Sequence, residues 1–590
     1  MSFVREIRRR KVFQVAAVYA VTAWLLVQVV TAVSEPLNLP DWADSLIIVL
    51  LAIGFPVALI MSWAYNLTAE GLVPEDGEPR TRAGGRGIEY VLIGLLILAV
   101  GWIGYRVEFG TSRGSSAAQI DILPNSIAVL PFENLSPDPE NDYFAAGIHD
   151  EILSRLAKLK SLNVIARTSV MQYADVARPI TEIAGELHVE TIMEGSVSYA
   201  DGRVAVRAQL IDAATGVHLW SETYNREFAD IFGIQADIAT NIANALRAEF
   251  SPVEQRGLEQ APTDSPQAYA LYLNALTQAF VGDKAQAALD EALRIDPDFA
   301  LAYAAKASVY GYAIINTAGS GAREDWLGLV DSATRNAERA LALDPGLGLA
   351  HAVRGGVDEV LWRWTDARES FDRALELTPN DVTVLWPASW FRAFSGDFSG
   401  AVDLAEREVS IAPLVERSYI DLGVTNFYAG NLAAARDAYR DVLAINQNQL
   451  VAHQHLGLVE ARLGNAAAAA EQFEFVERFF KGAPPIVFLP ELAVGYARIA
   501  RDGDAARLAN QILAIAEQRE IGVGTVAMAY LALGDEENLA MQLMLAIDRI
   551  AAHQPDQGFF SLMNIKHNLT GNPLLETPRF ALLRERLGGY

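Results

Sequence analysis

The chain has no cysteine in 590 residues. That excludes disulfides, thiolate metal sites and cysteine nucleophiles, and it leaves the compartment open. Positive charge is also short. Against 73 Asp and Glu stand 47 Lys and Arg, for a net charge of −26. Such a balance argues against non-specific nucleic-acid binding and against a peripheral grip on anionic lipid. No Gly-rich phosphate loop ending in Lys-Ser or Lys-Thr occurs, nor His-Glu-x-x-His, nor Gly-x-Ser-x-Gly, so the signatures of common nucleotide, zinc-protease and serine-hydrolase sites are missing. His149, Asp150 and Glu151 read as charged residues in the first turns of a helix rather than as a metal site. His453 and His455 lie two apart on a predicted helix and so point to different faces. No catalytic residue, no metal and no cofactor is expected.

What the sequence does contain is a period. Ala367, Ala401, Ala435 and Ala469 are each 34 apart, as are Gly396, Gly430 and Gly464. Pro345, Pro379 and Pro413 share the spacing, with Gln447 in the next place. A small-residue column runs Gly355, Ser389, Gly423, Gly457, and an aromatic column runs Phe371, Ala405, Tyr439, Phe473. One helical hairpin cannot bury its apolar face alone, so hairpins stack and leave a long concave surface. The array begins near Ser265 and runs to about residue 570. Pro297 and Pro345 are 48 apart, one repeat plus 14, with the excess around Ile314–Trp326. After Lys481 the register loosens, although Gly503-Asp504 and Gly534-Asp535 still mark corners. At this length the chain exceeds one core and predicts about three or four domains.

Three apolar runs precede the array, at 12–33, 45–65 and 88–105. The first, as a helix, is about 33 Å long, enough to cross a bilayer. It lacks a small-residue cleavage site and is followed by two further spans, so it reads as an anchor, not a signal peptide. Trp42, Trp63, Trp102 and Tyr105 lie near span ends, as interfacial aromatics do. Arg5, Arg8, Arg9, Arg10 and Lys11 precede the first span, and Arg80, Arg82 and Arg86 precede the third. The loop Ser34–Asp44 has no basic residue. The positive-inside rule then places the N-terminus in the cytoplasm and everything after about residue 106 on the far side, with Arg106 and Arg113 against it.

Residues 107–123 read as a linker, rich in Gly, Ser and Ala through Gly110–Gln119. Residues 124–250 read as an α/β unit. Strands are predicted over Ser126–Phe132, Asn163–Ala166, Thr191–Tyr199, Arg203–Asp212 and Val217–Tyr224. Helices are predicted over Tyr143–Leu159, Thr181–His188 (with Thr181 as its cap) and Ile231–Leu246. Asp201-Gly202 is a hairpin turn. In the middle strand Val204, Val206, Ala208 and Leu210 alternate with Arg203, Arg207 and Gln209, which predicts one dry face and one polar face.

Three resemblances follow from these residues. The 34-residue pattern, with its Gly-Asp or Gly-Asn turn and its proline after the second helix, resembles the tetratricopeptide repeat. Ile127-Ala128-Val129-Leu130-Pro131-Phe132, Asp142–Ile148, Val164–Arg167, Glu194–Val197, Gln209–Ala213 with Thr215-Gly216, Trp220 and Ile231-Phe232 resemble the TolB-like domain, the fold also seen in the FlgO family. That family usually has an acidic pair after Gly147-Ile148, where this chain has His149-Asp150-Glu151. The N-terminal set Phe3, Glu6, Arg9, Arg10, Val12, Tyr19, Trp24, Gln28, Pro40, Trp42, Gly54-Phe55-Pro56, Trp63, Thr68 and Gly71 resembles the membrane module of a proteobacterial group that carries such domains behind it. The resemblance implies a bacterial inner membrane, a periplasmic C-terminal portion in contact with envelope proteins, and no known catalytic residues. Related chains carry a nucleotide cyclase or a winged-helix domain before the membrane. Only eleven residues precede the first span here, so neither activity is expected in this chain. The tail Asn572–Leu575 and Pro578–Leu583, within 571–590, resembles the closing segment of this group and is expected to cap the array.

The fold class that emerges is multidomain: three N-terminal transmembrane helices, a TolB-like α/β domain and an all-α tetratricopeptide-type solenoid. The first helix of each hairpin lines the concave face in such a solenoid. The inward positions are Leu349, Ala352 and Glu359, then Thr383, Trp386, Trp390 and Ala393, then Arg417, Ile420, Val424 and Phe427. Trp386 and Trp390 either pack between helices or form an aromatic anchor for an apolar or amphipathic peptide. The candidate protein-binding residues are Trp386, Trp390, Arg417, Ile420, Val424 and Phe427. The expected function is a membrane-anchored periplasmic scaffold or sensor that binds a protein or peptide in its groove and the lipid bilayer through three spans. The alternative is a transmembrane signal-transducing subunit, with an enzyme as a third reading.

Overall fold

The computed structural model describes in the main residues 122–136, 142–174, 178–248, 261–277, 283–317, 323–552 and 558–568, with a few isolated stretches elsewhere. Among the described residues no helix is long and apolar enough to cross a membrane. The three apolar runs lie outside them except for scattered positions, and so, almost entirely, do the expected linker and closing tail. Two compact units are separated at residues 116 and 117. In the first, strands β1 (Asn66–Thr68) and β2 (Gly71–Val73) pair antiparallel, Leu67 facing Leu72.

The second unit opens with a mixed sheet. Its strands are β3 (Leu123–Val129), β4 (Glu133–Asn134), β5 (Asn163–Val164), β6 (Val189–Ala200), β7 (Arg203–Asp212) and β8 (His218–Glu227). The order is β5-β3-β6-β7-β8, with β4 extending the β3 side of β6. β3 runs parallel to β5 and β6, while β6, β7 and β8 form an antiparallel meander. The meander turns at Asp201 (φ 51°) and Gly202 (φ 74°). Two consecutive left-handed residues are what a two-residue hairpin between right-twisted strands requires. The alternation in β7 is real: Val204, Val206, Ala208 and Leu210 are buried while Arg203 and Arg207 are exposed.

Helices α1 (Asp142–Ala157) and α4 (Ile231–Ala245) cover that dry face through Ile148, Ile152, Ile234 and Ile238. The short helix α2 (Arg167–Val170) and α3 (Ile180–Leu187) pack on Ala128, Ile165 and Ile192 of the sheet. Thr181 does not cap α3. The helix begins one residue earlier, at Ile180, behind Pro179, and has no side-chain cap. Pro179 is itself the N-cap, and its carbonyl accepts the first bonds of the helix, from the N–H groups of Glu182 and Ile183.

The rest is helical hairpins. The pairs are α5 (Pro266–Thr277) with α6 (Asp283–Ile295), α7 (Ala300–Thr317) with α8 (Arg323–Leu343), and α9 (Gly348–Val360) with α10 (Trp364–Leu377). Next come α11 (Val382–Ser395) with α12 (Phe398–Ile411), α13 (Glu416–Ala429) with α14 (Leu432–Ile445), and α15 (Leu450–Arg462) with α16 (Ala466–Phe479). The last pairs are α17 (Leu489–Arg498) with α18 (Asp502–Gln518) and α19 (Val523–Leu533) with α20 (Glu536–Ala551), followed by α21 (Phe559–Asn568). The extra length after Pro297 is the extension of α7 and α8 to 18 and 21 residues. There Trp326 is buried and donates its indole N–H to the carbonyl of Ile314 at 3.0 Å.

The sequence columns are contact pairs. A Cβ on Gly423 would sit 2.5 Å from the Tyr439 ring, one on Gly355 would sit 3.0 Å from the Phe371 ring, and one on Gly457 would strike Phe473. Each small residue thus admits the aromatic of its own second helix. The hairpin corners are left-handed glycines, with φ of 91° at Gly396, 80° at Gly430 and 82° at Gly464. Only a residue without Cβ takes that cap freely. One period earlier Trp362 occupies the same conformation at φ 62°, and its buried ring stacks edge-on near Trp364 and against Phe559. Packing of a large ring offsets a backbone cost of about 1 kcal/mol or more.

Sheet and solenoid share one unit. The N–H of Ala166 donates to the carbonyl of Ile411 at 2.7 Å, and Asn380 Nδ2 donates to the carbonyl of Leu162 at 2.9 Å. Leu414 packs against the α3 side of the sheet, and Gly147 of α1 lies so close to Leu273 of α5 that a Cβ would collide. Asn380, Ile411 and Leu414, close to Pro379 and Pro413, therefore form the seat of the α/β part together with Leu273 of α5.

Candidate functional site

The first helices α7, α9, α11, α13 and α17 face a common groove, and α21 lies in it. Phe559 packs on Trp362 with ring centroids 4.9 Å apart, and Phe560 meets Trp390 edge-on at 5.9 Å. Tyr428 of α13 donates to Asn564, which in turn bonds Glu491 of α17. The groove is thus partly filled by the chain itself. What remains open is a cleft of about 90 Å³ bounded by α7, α9, α11 and Phe560.

Of the inward positions read from the sequence, Leu349, Ala352, Glu359, Thr383, Trp386 and Trp390 all line this cleft. Tyr312 joins them, its ring 6.1 Å from that of Trp386. Trp386 and Trp390 are half-buried, their rings perpendicular at 6.2 Å. Trp390 also packs against the two largest helical core clusters. It is both wall and core, which answers in part each of the two alternatives.

Ile420, Val424 and Phe427 are not groove residues. All three are buried in the core with Tyr439 and Leu456. They share one core with Leu456 of α15 and Leu489 of α17, so the following hairpins cover helical positions that α9 and α11 leave open. Ala393 is buried likewise. Arg417 is half-buried and already engaged. Its guanidinium carbon lies 4.6 Å from the Trp386 ring centre and 5.3 Å from that of Trp390. Its Nε donates to Asp421 at 2.8 Å and 3.0 Å. Asp421 also accepts the Trp390 indole N–H at 2.8 Å. Burial pushes the Asp421 carboxyl above the usual range, and Arg417 and Trp390 partly offset that. Neighbouring Glu408 is pushed up further, by burial and then by Asp421. Cation–π contact and a buried acid give Arg417 a structural post.

Glu359 is the residue whose importance the sequence did not signal. It is 8 % exposed, its Oε1 has no hydrogen-bond partner among the described residues, and burial alone lifts its carboxyl to about 8. A carboxyl on the inward face of a helix looks like any solvated glutamate until the neighbouring helices are in place.

The other candidates for chemistry are occupied. His149 is buried, its Nε2 2.8 Å from the carbonyl of Val129. Asp150 pairs with Arg167 at 2.5 Å and Glu151 with Arg155 at 2.9 Å. All three are buried in the middle of α1, Asp150 and Glu151 in ion pairs, rather than in the first turns of the helix as the sequence suggested. His453 stacks on Phe475 at 3.7 Å and lies 2.6 Å from Gln472 Oε1. Among the described residues no group of three His, Asp or Glu is placed to hold a metal.

No family model matches the chain. A stretch of 184 residues is 41% identical to a protein of Rhizobium meliloti (strain 1021) named "Putative adenylate cyclase 3", covering 30% of this chain and 31% of that protein. The chain thus spans under a third of that relative's length. Among solved structures, the type IV pilus biogenesis factor PilW matches with a TM-score of 0.30 and 17% identity, over 36% of this chain and 95% of its own. A tetratricopeptide repeat protein from Parabacteroides merdae matches with a TM-score of 0.31 and 14% identity, over 46% and 98%. PilF of Pseudomonas aeruginosa matches with a TM-score of 0.27 and 19% identity, over 35% and 93%. Similarity at this level fixes no ligand. The class of protein rests on the coordinates themselves: a tetratricopeptide-like solenoid of stacked 34-residue hairpins, carrying a small mixed sheet.

Proposed function

We propose that this chain is a non-enzymatic protein-binding scaffold. It is anchored in a bacterial inner membrane by the three N-terminal spans and holds its TolB-like α/β part and solenoid in the periplasm. The observation that carries the reading is the cleft itself, an aromatic-walled opening on the inner faces of three successive hairpins, where solenoids of this kind receive their ligands. The seating of the sheet on the solenoid supports a single rigid presenting body. A photo-crosslinking residue at Thr383, which lines the cleft, should trap one discrete partner in intact cells, and the same residue at exposed Arg373 should not. Adducts at Arg373 with none at Thr383 would overturn the binding face. Orientation is tested separately. A phosphatase fused after Gly110 should be active and one fused after Gly77 inactive, and the reverse order would remove the periplasmic assignment.

A second reading, a subunit relaying a periplasmic binding event to a cytoplasmic partner, is favoured by the stretch shared with a protein named as a cyclase. Replacing loop 66–87 distinguishes the two. A scaffold tolerates the exchange and a relay loses its output.

A further inference from the structure

The cleft contains one feature that an apolar peptide groove does not need. Its walls are Tyr312, Trp386, Trp390 and Phe560, with aliphatic side chains between them, and Glu359 is one of the lining residues. Its Oε1 is buried and has no hydrogen-bond partner among the described residues, and an unpartnered buried acceptor carries a desolvation cost that native structures rarely keep. Among the described residues no arginine or lysine lines the cleft. The nearby guanidinium of Arg417 is committed to Asp421 and to the tryptophan rings. Tyr312 is the other titratable residue of the lining, and burial pushes its hydroxyl up as well.

We propose that the cleft is a binding site for a primary alkylammonium group, whose ammonium pairs with Glu359 while its methylene chain lies between the aromatic walls. The chemistry is complementary at each point. Aromatic faces attract a cation and also bury methylenes. The carboxyl supplies the acceptor that the ammonium needs on leaving water. About 90 Å³ is less than the roughly 150 Å³ of an engineered cavity that admits benzene, and it suits a slim chain better than a ring. The strongly acidic chain also favours approach of a cation. Two sources offer this group, a lysine side chain of a partner protein and a free alkylamine. The inference rests on reading the cleft as a ligand site, but it does not require the ligand to be a protein.

Binding carries a proton signature. The empty site holds Glu359 mostly protonated at pH 7, because its carboxyl titrates at about 8, and pairing with an ammonium ionises it. A net release of protons should therefore accompany binding at pH 7.

The test is calorimetry on the purified full-length chain in two buffers of different ionisation enthalpy. Butylammonium chloride should bind about tenfold or more tighter than butan-1-ol and release the proton. Glu359→Gln should abolish both the preference and the proton release. Gly356→Leu serves as the second variant, because a Cβ at Gly356 meets open space in the cleft lining. It should block binding while the helix melts no lower. An end-blocked lysine pentapeptide is compared with its norleucine twin. Tighter binding of the lysine peptide than of butylammonium assigns the source to a protein, and equal or weaker binding assigns it to a free amine. Absence of butylammonium binding, equal affinity for butan-1-ol, or unchanged binding in Glu359→Gln overturns the proposal. Failure of the Thr383 crosslink with butylammonium binding intact would remove only the protein partner.

Discussion

Trp390 of α11 donates its indole N–H to the carboxylate of Asp421 on α13 at 2.8 Å, across the seam between two hairpins. The bond ties the wall of the cleft to a fully buried acid that also holds Arg417. Wall and core are therefore mechanically one piece.

Trp390→Phe keeps the ring and removes the donor. It should cost about 1–3 kcal/mol of stability, because Asp421 stays buried with one partner fewer. Trp390→Ala also opens a cavity and should cost about 3–5 kcal/mol. Chemical denaturation of both variants measures the two steps, and equal losses would mean that the hydrogen bond contributes nothing.

Adjacent glycines of α9 should respond with opposite sign. Gly355→Ala places a methyl 3.0 Å from the Phe371 ring and should destabilise by about 1–3 kcal/mol. Gly356→Ala meets nothing within 4 Å and should stabilise by about 0.5–1 kcal/mol, as alanine in a helix interior does. Paired thermal melts check the signs.

Glu359 gives a pH dependence of defined sign. Its carboxyl is raised from 4.5 to about 8 by burial, so the folded chain keeps a proton that the unfolded chain releases. The stability it contributes is fully present below pH 4.5 and is lost as the pH rises through about 8. Relative to Glu359→Gln, the wild type should lose up to about 1.4 kcal/mol per pH unit across that window. Denaturant titrations at about pH 5 and about pH 8 measure it, and a constant difference would place the carboxyl in water.

Asn380 bridges the two parts of the second unit. Its Nδ2 donates to Leu162 and its Oδ1 accepts from Arg407 Nε at 2.8 Å. Asn380→Ala leaves the Leu162 carbonyl and the Arg407 donor unmatched and should cost about 1–3 kcal/mol. Limited proteolysis should then separate the sheet from the solenoid earlier than in the wild type. Unchanged cleavage would show that the Ala166–Ile411 hydrogen bond and the apolar contacts of Leu414 and Leu273 hold the seat without Asn380.

The sequence by itself determined what is local and periodic. A 34-residue spacing of small and aromatic residues set the hairpins, because Gly423 and Tyr439 lie sixteen residues apart and meet within one repeat. Alternation in Arg203–Asp212 set the dry face of the sheet, because side chains change sides at every residue of a strand. Six of the inward positions were legible for the same reason: helical spacing decides which way a side chain points. The tertiary structure alone decided which of those positions stay open. Phe560 reaches Trp390 from 170 residues away, and the later hairpins close over Ile420, Val424 and Phe427, while Glu359 is buried with its Oε1 unpartnered among the described residues. A repeat pattern describes each hairpin against its neighbour. Contacts between distant hairpins follow from the accumulated rotation of the stack, which no single period records.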